Sequence, residues 1–162
     1  MLVAAMIEYK VIVDESGTIR WYDTDGFLHR LDGPAIEWKL GYTKYEYYQN
    51  GKRHRIGGPA IVYSNGSTEY WVNGIRHRTD GPAINYITGV KEYWVDGRRH
   101  RTNGPAIENP YRNEQSFYID GNMLTRADFI AVTAGKKMPE IQELTLTEII
   151  ELLGFNIKII EG

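Results

Sequence analysis

The chain has 162 residues, 42% of them hydrophobic and 25% charged, with a formal net charge of −2. That is enough chain for one folded unit, and its balance of charge does not suit long nucleic acid or another extended polyanion as a partner. The absence of cysteine removes disulfides, thiol nucleophiles and cysteine metal ligands together, and it suits a reducing cytoplasm.

The opening stretch Met1–Ile7 is apolar but short and has no basic flank. It reads as the start of a first strand, not as a signal peptide or a membrane span. Strand and turn signals then alternate. Five hairpins are expected, pairing about 7–13 with 18–23, 34–38 with 44–49, 59–63 with 68–73, 82–86 with 91–96, and 105–108 with 116–120. The fourth of these is typical. Pro82-Ala83-Ile84-Asn85-Tyr86 alternates, Gly89 supplies a turn, and Lys91-Glu92-Tyr93-Trp94-Val95 is aromatic and β-branched before Asp96-Gly97 turns again. The hairpins should follow one another as one elongated, single-layer antiparallel meander over residues 1–122.

Residues 123–162 read as a small α+β cap. Arg126 to Ala134 suits a helix stopped at Gly135, and Lys136-Lys137-Met138-Pro139 a connector. A second short helix follows from Thr147 to Leu153, then an alternating strand from Phe155 to Ile160. The cap would cover the last hairpin edge, which otherwise invites uncontrolled pairing; its apolar residues could instead build a dimer contact.

The hairpins are copies of one another. Gly-Lys-Arg-His-Arg-Ile-Gly-Gly-Pro-Ala begins at Gly51, Gly-Ile-Arg-His-Arg-Thr-Asp-Gly-Pro-Ala at Gly74, and Gly-Arg-Arg-His-Arg-Thr-Asn-Gly-Pro-Ala at Gly97. An earlier copy runs from Gly26 to Ala35, and a degraded one begins at Gly121. A period in the twenties marks a repeat array, in which each unit buries surface only against its neighbours. All four histidines hold the same place in the unit, so they are instances of one role.

An aromatic pair precedes each turn: Trp21-Tyr22, Tyr47-Tyr48, Tyr70-Trp71, Tyr93-Trp94 and Phe117-Tyr118. Neighbouring strand residues point to opposite faces, so aromatic ladders should line both sides of the sheet. One should join a core, and the other should be covered or left for a partner. Face-to-face pairing of two arrays would bury that area, so a homo-oligomer is expected.

Around Tyr93-Trp94-Val95-Asp96-Gly97-Arg98-Arg99-His100 the sequence resembles MORN-type repeats, and the resemblance spans roughly residues 18–121. The His-Arg-x-x-Gly-Pro-Ala extension is similar to repeats in small proteins of large tailed bacteriophages, and the ending from Thr147 to Ile160 resembles their closing segment. The resemblance implies an elongated antiparallel sheet, no catalysis and a role in contacting partners. Departures include Leu28 in place of the later Arg53, Arg76 and Arg99, Asn109-Pro110 in the fourth unit, and Leu124-Thr125 in place of His-Arg in the fifth.

Three chemistries compete. For metal, equivalent positions in successive hairpins lie about 10 Å apart, whereas zinc needs nitrogens at about 2.0–2.1 Å. For catalysis, His77-Arg78-Thr79 and His100-Arg101-Thr102 look like a two-histidine phosphoesterase pair, but the same separation keeps both imidazoles from one phosphate. For binding, the central units bring basic groups and aromatic rings together: Arg53, His54 and Arg55 with Tyr48; Arg76, His77 and Arg78 with Trp71; Arg99, His100 and Arg101 with Trp94. Guanidinium forks suit phosphate or carboxylate, and aromatic faces suit stacking. The same residues could equally tie repeat to repeat.

The expected protein is therefore non-enzymatic, without cofactor or metal. It would bind and block a host component in the host cytoplasm, either a host protein or a nucleotide-type ligand, as an anti-defence protein of a phage. A scaffold module of phage assembly is the first alternative and a phosphoesterase the second.

Overall fold

The computed structural model describes residues 8–41 and 43–135. The first strand expected within Met1–Ile7, the connector from Lys136, the helix from Thr147 and the closing strand from Phe155 lie outside the described residues.

The expected hairpins form one antiparallel sheet of eleven strands among the described residues, ordered along the chain without crossovers. Lys10–Val13 pairs with Ile19–Tyr22, Ile36–Glu37 with Thr43–Glu46, Ile61–Tyr63 with Thr68–Glu69, Ile84–Asn85 with Lys91–Glu92, and Ile107–Asn109 with Glu114–Ile119. Each hairpin also pairs with the next, through Arg20↔Ile36, Glu46↔Ile61, Glu69↔Ile84 and Glu92↔Ile107. One row across the sheet therefore reads Arg20, Ile36, Glu46, Ile61, Glu69, Ile84, Glu92, Ile107, Ser116, and its side chains share a face.

In the three central units the second strand is shorter than its aromatic run suggests. Pairing in the large sheet stops at the glutamate, and the chain then starts a separate two-residue ladder. Tyr48–Gln49 pairs with Lys52–Arg53, Trp71–Val72 with Ile75–Arg76, and Trp94–Val95 with Arg98–Arg99. Each small hairpin closes on a two-residue turn with both residues in the left-handed region, as at Asn73 (φ 50) and Gly74 (φ 85). Asn-Gly and Asp-Gly are the pairs that tolerate this geometry. At the other end of the first, third and fourth hairpins the turn is a three-residue loop with a left-handed glycine, as in Tyr63 N–H to Ser67 O (2.9 Å) around Gly66.

The small hairpins are linked across units as well. The turn amides of Gly51, Gly74, Gly97 and Gly121 donate to the carbonyls of Leu28, Arg53, Arg76 and Arg99 in the preceding unit, at 2.9–3.0 Å. The amides of Arg30, Arg55, Arg78 and Arg101 donate forward to Tyr48, Trp71, Trp94 and Tyr118. The array thus has two lines of backbone bonding side by side.

The core differs from the expected aromatic ladder. It is a file of small and branched residues: Ala35, Ala60, Ala83 and Ala106 are fully buried, and Ile36, Ile61 and Ile84 nearly so. Alanine and isoleucine are adjacent in the chain and point to opposite sides, so both faces of the sheet are covered at this point. The aromatic pairs are half-buried and lie to either side of this file.

The helix expected from Arg126 is present as Arg126–Thr133, with Thr125 accepting from the Asp128 amide as its cap and Gly135 (φ 78) following its end. Phe129 packs on Phe117 of the last hairpin with ring centroids 4.8 Å apart. Among the described residues, no helix is long and apolar enough to cross a membrane.

Candidate functional site

Each member of the repeated motif has its own structural partner. In the three central copies the first arginine reaches back to a glutamate, buried at Glu46 and Glu69 and half-buried at Glu92. Arg53 donates to Glu46 (3.2 and 3.1 Å), Arg76 to Glu69 (3.3 Å) and Arg99 to Glu92 (3.4 and 3.3 Å). Glu46 and Glu69 are each only 6% exposed. Burying a carboxylate demands full pairing, and each receives it. Glu46 also accepts from Trp38 Nε1 and the Tyr48 hydroxyl, Glu69 from Tyr63 and Trp71 Nε1, and Glu92 from Trp94 Nε1. Burial and the neighbouring carboxylates push the Tyr48 and Tyr63 phenols above their usual range.

The same arginines lie between aromatic rings of successive units. Arg53 lies 5.8 Å from Tyr48 and 5.5 Å from Trp71, Arg76 lies 4.8 Å from Trp71 and 5.4 Å from Trp94, and Arg99 lies 5.1 Å from Trp94 and 5.5 Å from Tyr118. Ring and cation therefore alternate from Tyr48 to Tyr118, within cation–π range throughout.

The histidines lock each unit to the next. Nδ1 of His29, His54, His77 and His100 lies 3.1–3.2 Å from the turn amide of Asn50, Asn73, Asp96 and Asp120, and 2.7–2.9 Å from the side-chain oxygen of the same residue. An unprotonated Nδ1 accepts from the amide; a protonated one donates to the oxygen. The four imidazoles address four different turns. No cluster of three or more His, Cys, Asp or Glu residues suited to a metal occurs among the described residues.

The second arginine of each copy holds the Gly-Pro loop. Arg30, Arg55, Arg78 and Arg101 donate to the carbonyls of Pro34, Pro59, Pro82 and Pro105 at 3.0–3.3 Å. They stack on Trp21, Tyr47, Tyr70 and Tyr93 at 3.8–4.0 Å from the ring centroid. The glycine of Gly-Pro-Ala allows this close approach, since a Cβ on Gly81 would lie 3.0 Å from Arg78 Cζ.

The candidate binding residues are thus brought together in two separate sets. Arg53, Arg76 and Arg99 with Tyr48, Trp71 and Trp94 form the alternating stack. His54, His77, His100, Arg55, Arg78 and Arg101 form the loop edge. There, an open groove of about 480 Å³ lies between successive loops, with Arg78, Thr79 and Asp80 on one side and His100, Arg101 and Thr102 on the other. The exposed loop tips are Leu31, Ile56, Thr79 and Thr102. The glutamates were not among the sequence candidates. Their signal was present: Glu46, Glu69 and Glu92 each stand four residues before an Asn-Gly or Asp-Gly turn.

Comparison with protein-family models finds none that matches the chain, and neither the curated proteins nor the solved structures give a match.

Proposed function

We propose that this chain is a non-enzymatic binding protein whose loop edge meets its partner. The observation that carries the reading is the division of labour within each copy. Histidine holds one unit to the next and both arginines are engaged by a glutamate and a Gly-Pro loop, while one exposed tip residue per loop stands above them. Such an arrangement offers a row of contacts and separates His77 from His100 by anchoring them to different turns. This argues against the phosphoesterase alternative, which needs both imidazoles at one reacting atom.

In the fuller form of the proposal, the chain is a phage-encoded anti-defence protein that sequesters a host component in the host cytoplasm, as a homo-oligomer. The resemblance of its repeats to those of tailed-phage proteins motivates that form. Native mass spectrometry of protein purified from cells tests it, by reporting subunit number and any retained protein or small molecule together. Heat-shift screening with nucleotides and dinucleotides separates a nucleotide signal from a protein target. A bare monomer with no retained species and no thermal response would leave the scaffold alternative in its place.

A further inference from the structure

The four Gly-Pro loops share one design, and one of them lacks a part. In the first, third and fourth loops the residue two positions after the arginine places a side-chain oxygen on the arginine Nε–H. These contacts are Arg30 to Asp32 (2.9 Å), Arg78 to Asp80 (2.7 Å) and Arg101 to Asn103 (2.9 Å). In the second loop that position is Gly57, which has no side chain and whose backbone (φ 76) lies in the left-handed region that Asp32, Asp80 and Asn103 do not enter. A further carboxylate on the adjoining strand reaches Arg30 from Glu37 and Arg101 from Glu108; the corresponding residue for Arg55 is Val62.

Arg55 nonetheless takes the shared pose. It stacks 3.8 Å above Tyr47 and donates from Nη1 to Pro59 O at 3.2 Å, and Gly58 lies beneath its guanidinium as Gly81 lies beneath that of Arg78. Among the described residues it has no carboxylate partner, and its Nε–H donates to none of them. The result is a guanidinium held rigidly by ring and carbonyl, with the edge that its sisters use for an oxygen left open.

Two further observations describe what fits there. The loop tip beside Arg55 is Ile56, 74% exposed, and the tip of the preceding loop is Leu31, 53% exposed, whereas the following two tips are threonines. The acidic residues of the flanking loops, Asp32 and Asp80, are committed to Arg30 and Arg78. We propose that Arg55 is a receptor for a carboxylate, and that an aspartate or glutamate flanked by aliphatic residues in a partner protein takes the place that Asp32, Asp80 and Asn103 occupy in the sister loops. The geometry of those three contacts is the template. A carboxylate oxygen docks on Nε–H, the second oxygen reaches Nη2 in the forked arrangement guanidinium favours, and aliphatic neighbours cover Ile56 and Leu31. This identifies a contact point within the binding reading above and rests on it.

The test uses the full chain and follows the arginine Nε–H resonances by NMR. The probe is the capped peptide acetyl-Leu-Asp-Leu-amide, with its Asn analogue and inorganic phosphate as comparisons. The Asp peptide should shift the Arg55 Nε–H while leaving those of Arg30, Arg78 and Arg101 in place, and should bind at least about tenfold tighter than the Asn peptide. Val62→Glu, which supplies from the adjoining strand the carboxylate that Glu37 and Glu108 bring to Arg30 and Arg101, should abolish the shift. Arg55→Lys keeps the charge without the fork and, followed at the Ile56 backbone amide, should weaken binding by about tenfold even if the first variant folds poorly. An unmoved Arg55 resonance, equal shifts at Arg78 and Arg101, or phosphate binding tighter than the Asp peptide would each overturn the proposal. If native mass spectrometry shows a partner retained equally by the wild type and by Arg55→Lys, the site is wrong while the binding reading stands. If the wild type retains none, the binding reading is what fails, and the peptide titration still judges the site.

Discussion

Glu69 shows what a single buried charge does in this protein. It gathers Tyr63, Trp71 and Arg76 from three places in one unit, and it leaves no buried side-chain polar atom without a partner among the described residues. Glu69→Ala strands an indole N–H, a phenol and a guanidinium together. Denaturant unfolding should report a loss of about 3 kcal/mol, in the range for breaking a buried pair from one side. Asp14 is the contrasting surface case. Its bond from the Ser16 hydroxyl, aided by Arg20, holds its carboxyl down to about 2 from the ordinary 3.8. Because the folded value lies below the unfolded one, the associated stability is present above about pH 4 and is lost as pH falls toward 2. A carboxyl-carbon NMR titration should place the Asp14 midpoint near 2, and Ser16→Ala should raise it.

At the scale of the element, the repeated motif is a set of fasteners. His77 belongs to one unit, and the turn amide it faces belongs to the next. His77→Ala should cost about 1–2 kcal/mol, and the Asp96 amide should exchange with solvent faster while amides in the first hairpin keep their rates. Gly81→Ala acts within one loop by pushing the Arg78 guanidinium off Tyr70 and the Pro82 carbonyl. A thermal melt should reveal a destabilisation of about 1–2 kcal/mol. The hairpins and their order were legible in the sequence because Pro, Gly and Asn-Gly signals recur at a fixed period with β-branched and aromatic runs between them. The break after each glutamate was not. Thr68 to Val72 reads as one strand, and what divides it is the Tyr70 amide bonding to Ala83 O before a second, separate ladder starts at Trp71. The roles of the arginines were also out of reach of composition alone. Arg53 and Arg55 are two positions apart in the same basic run, yet one faces a buried glutamate and the other a Gly-Pro loop.

The molecule as a whole is held by contacts between neighbouring units, so its length is set by the number of copies. The row that runs Glu46, Ile61, Glu69, Ile84, Glu92, Ile107 repeats with the sequence period. Removing residues 74–96 joins Asn73 to Gly97, preserves an Asn-Gly turn and lets Glu69 face Ile107 as it now faces Ile84. That shortened chain should fold, with dispersed amide resonances and a smaller denaturant m-value in proportion to the surface lost.

The loop tips carry a consequence of another kind. Leu31, Ile56, Thr79 and Thr102 differ in chemistry, while the alanine buried a few residues later in every copy does not. The foundation is common and the visible residue is free to vary. A lineage of such chains could therefore change what it recognises one letter at a time, as type is reset in a fixed frame, without disturbing the page that holds it.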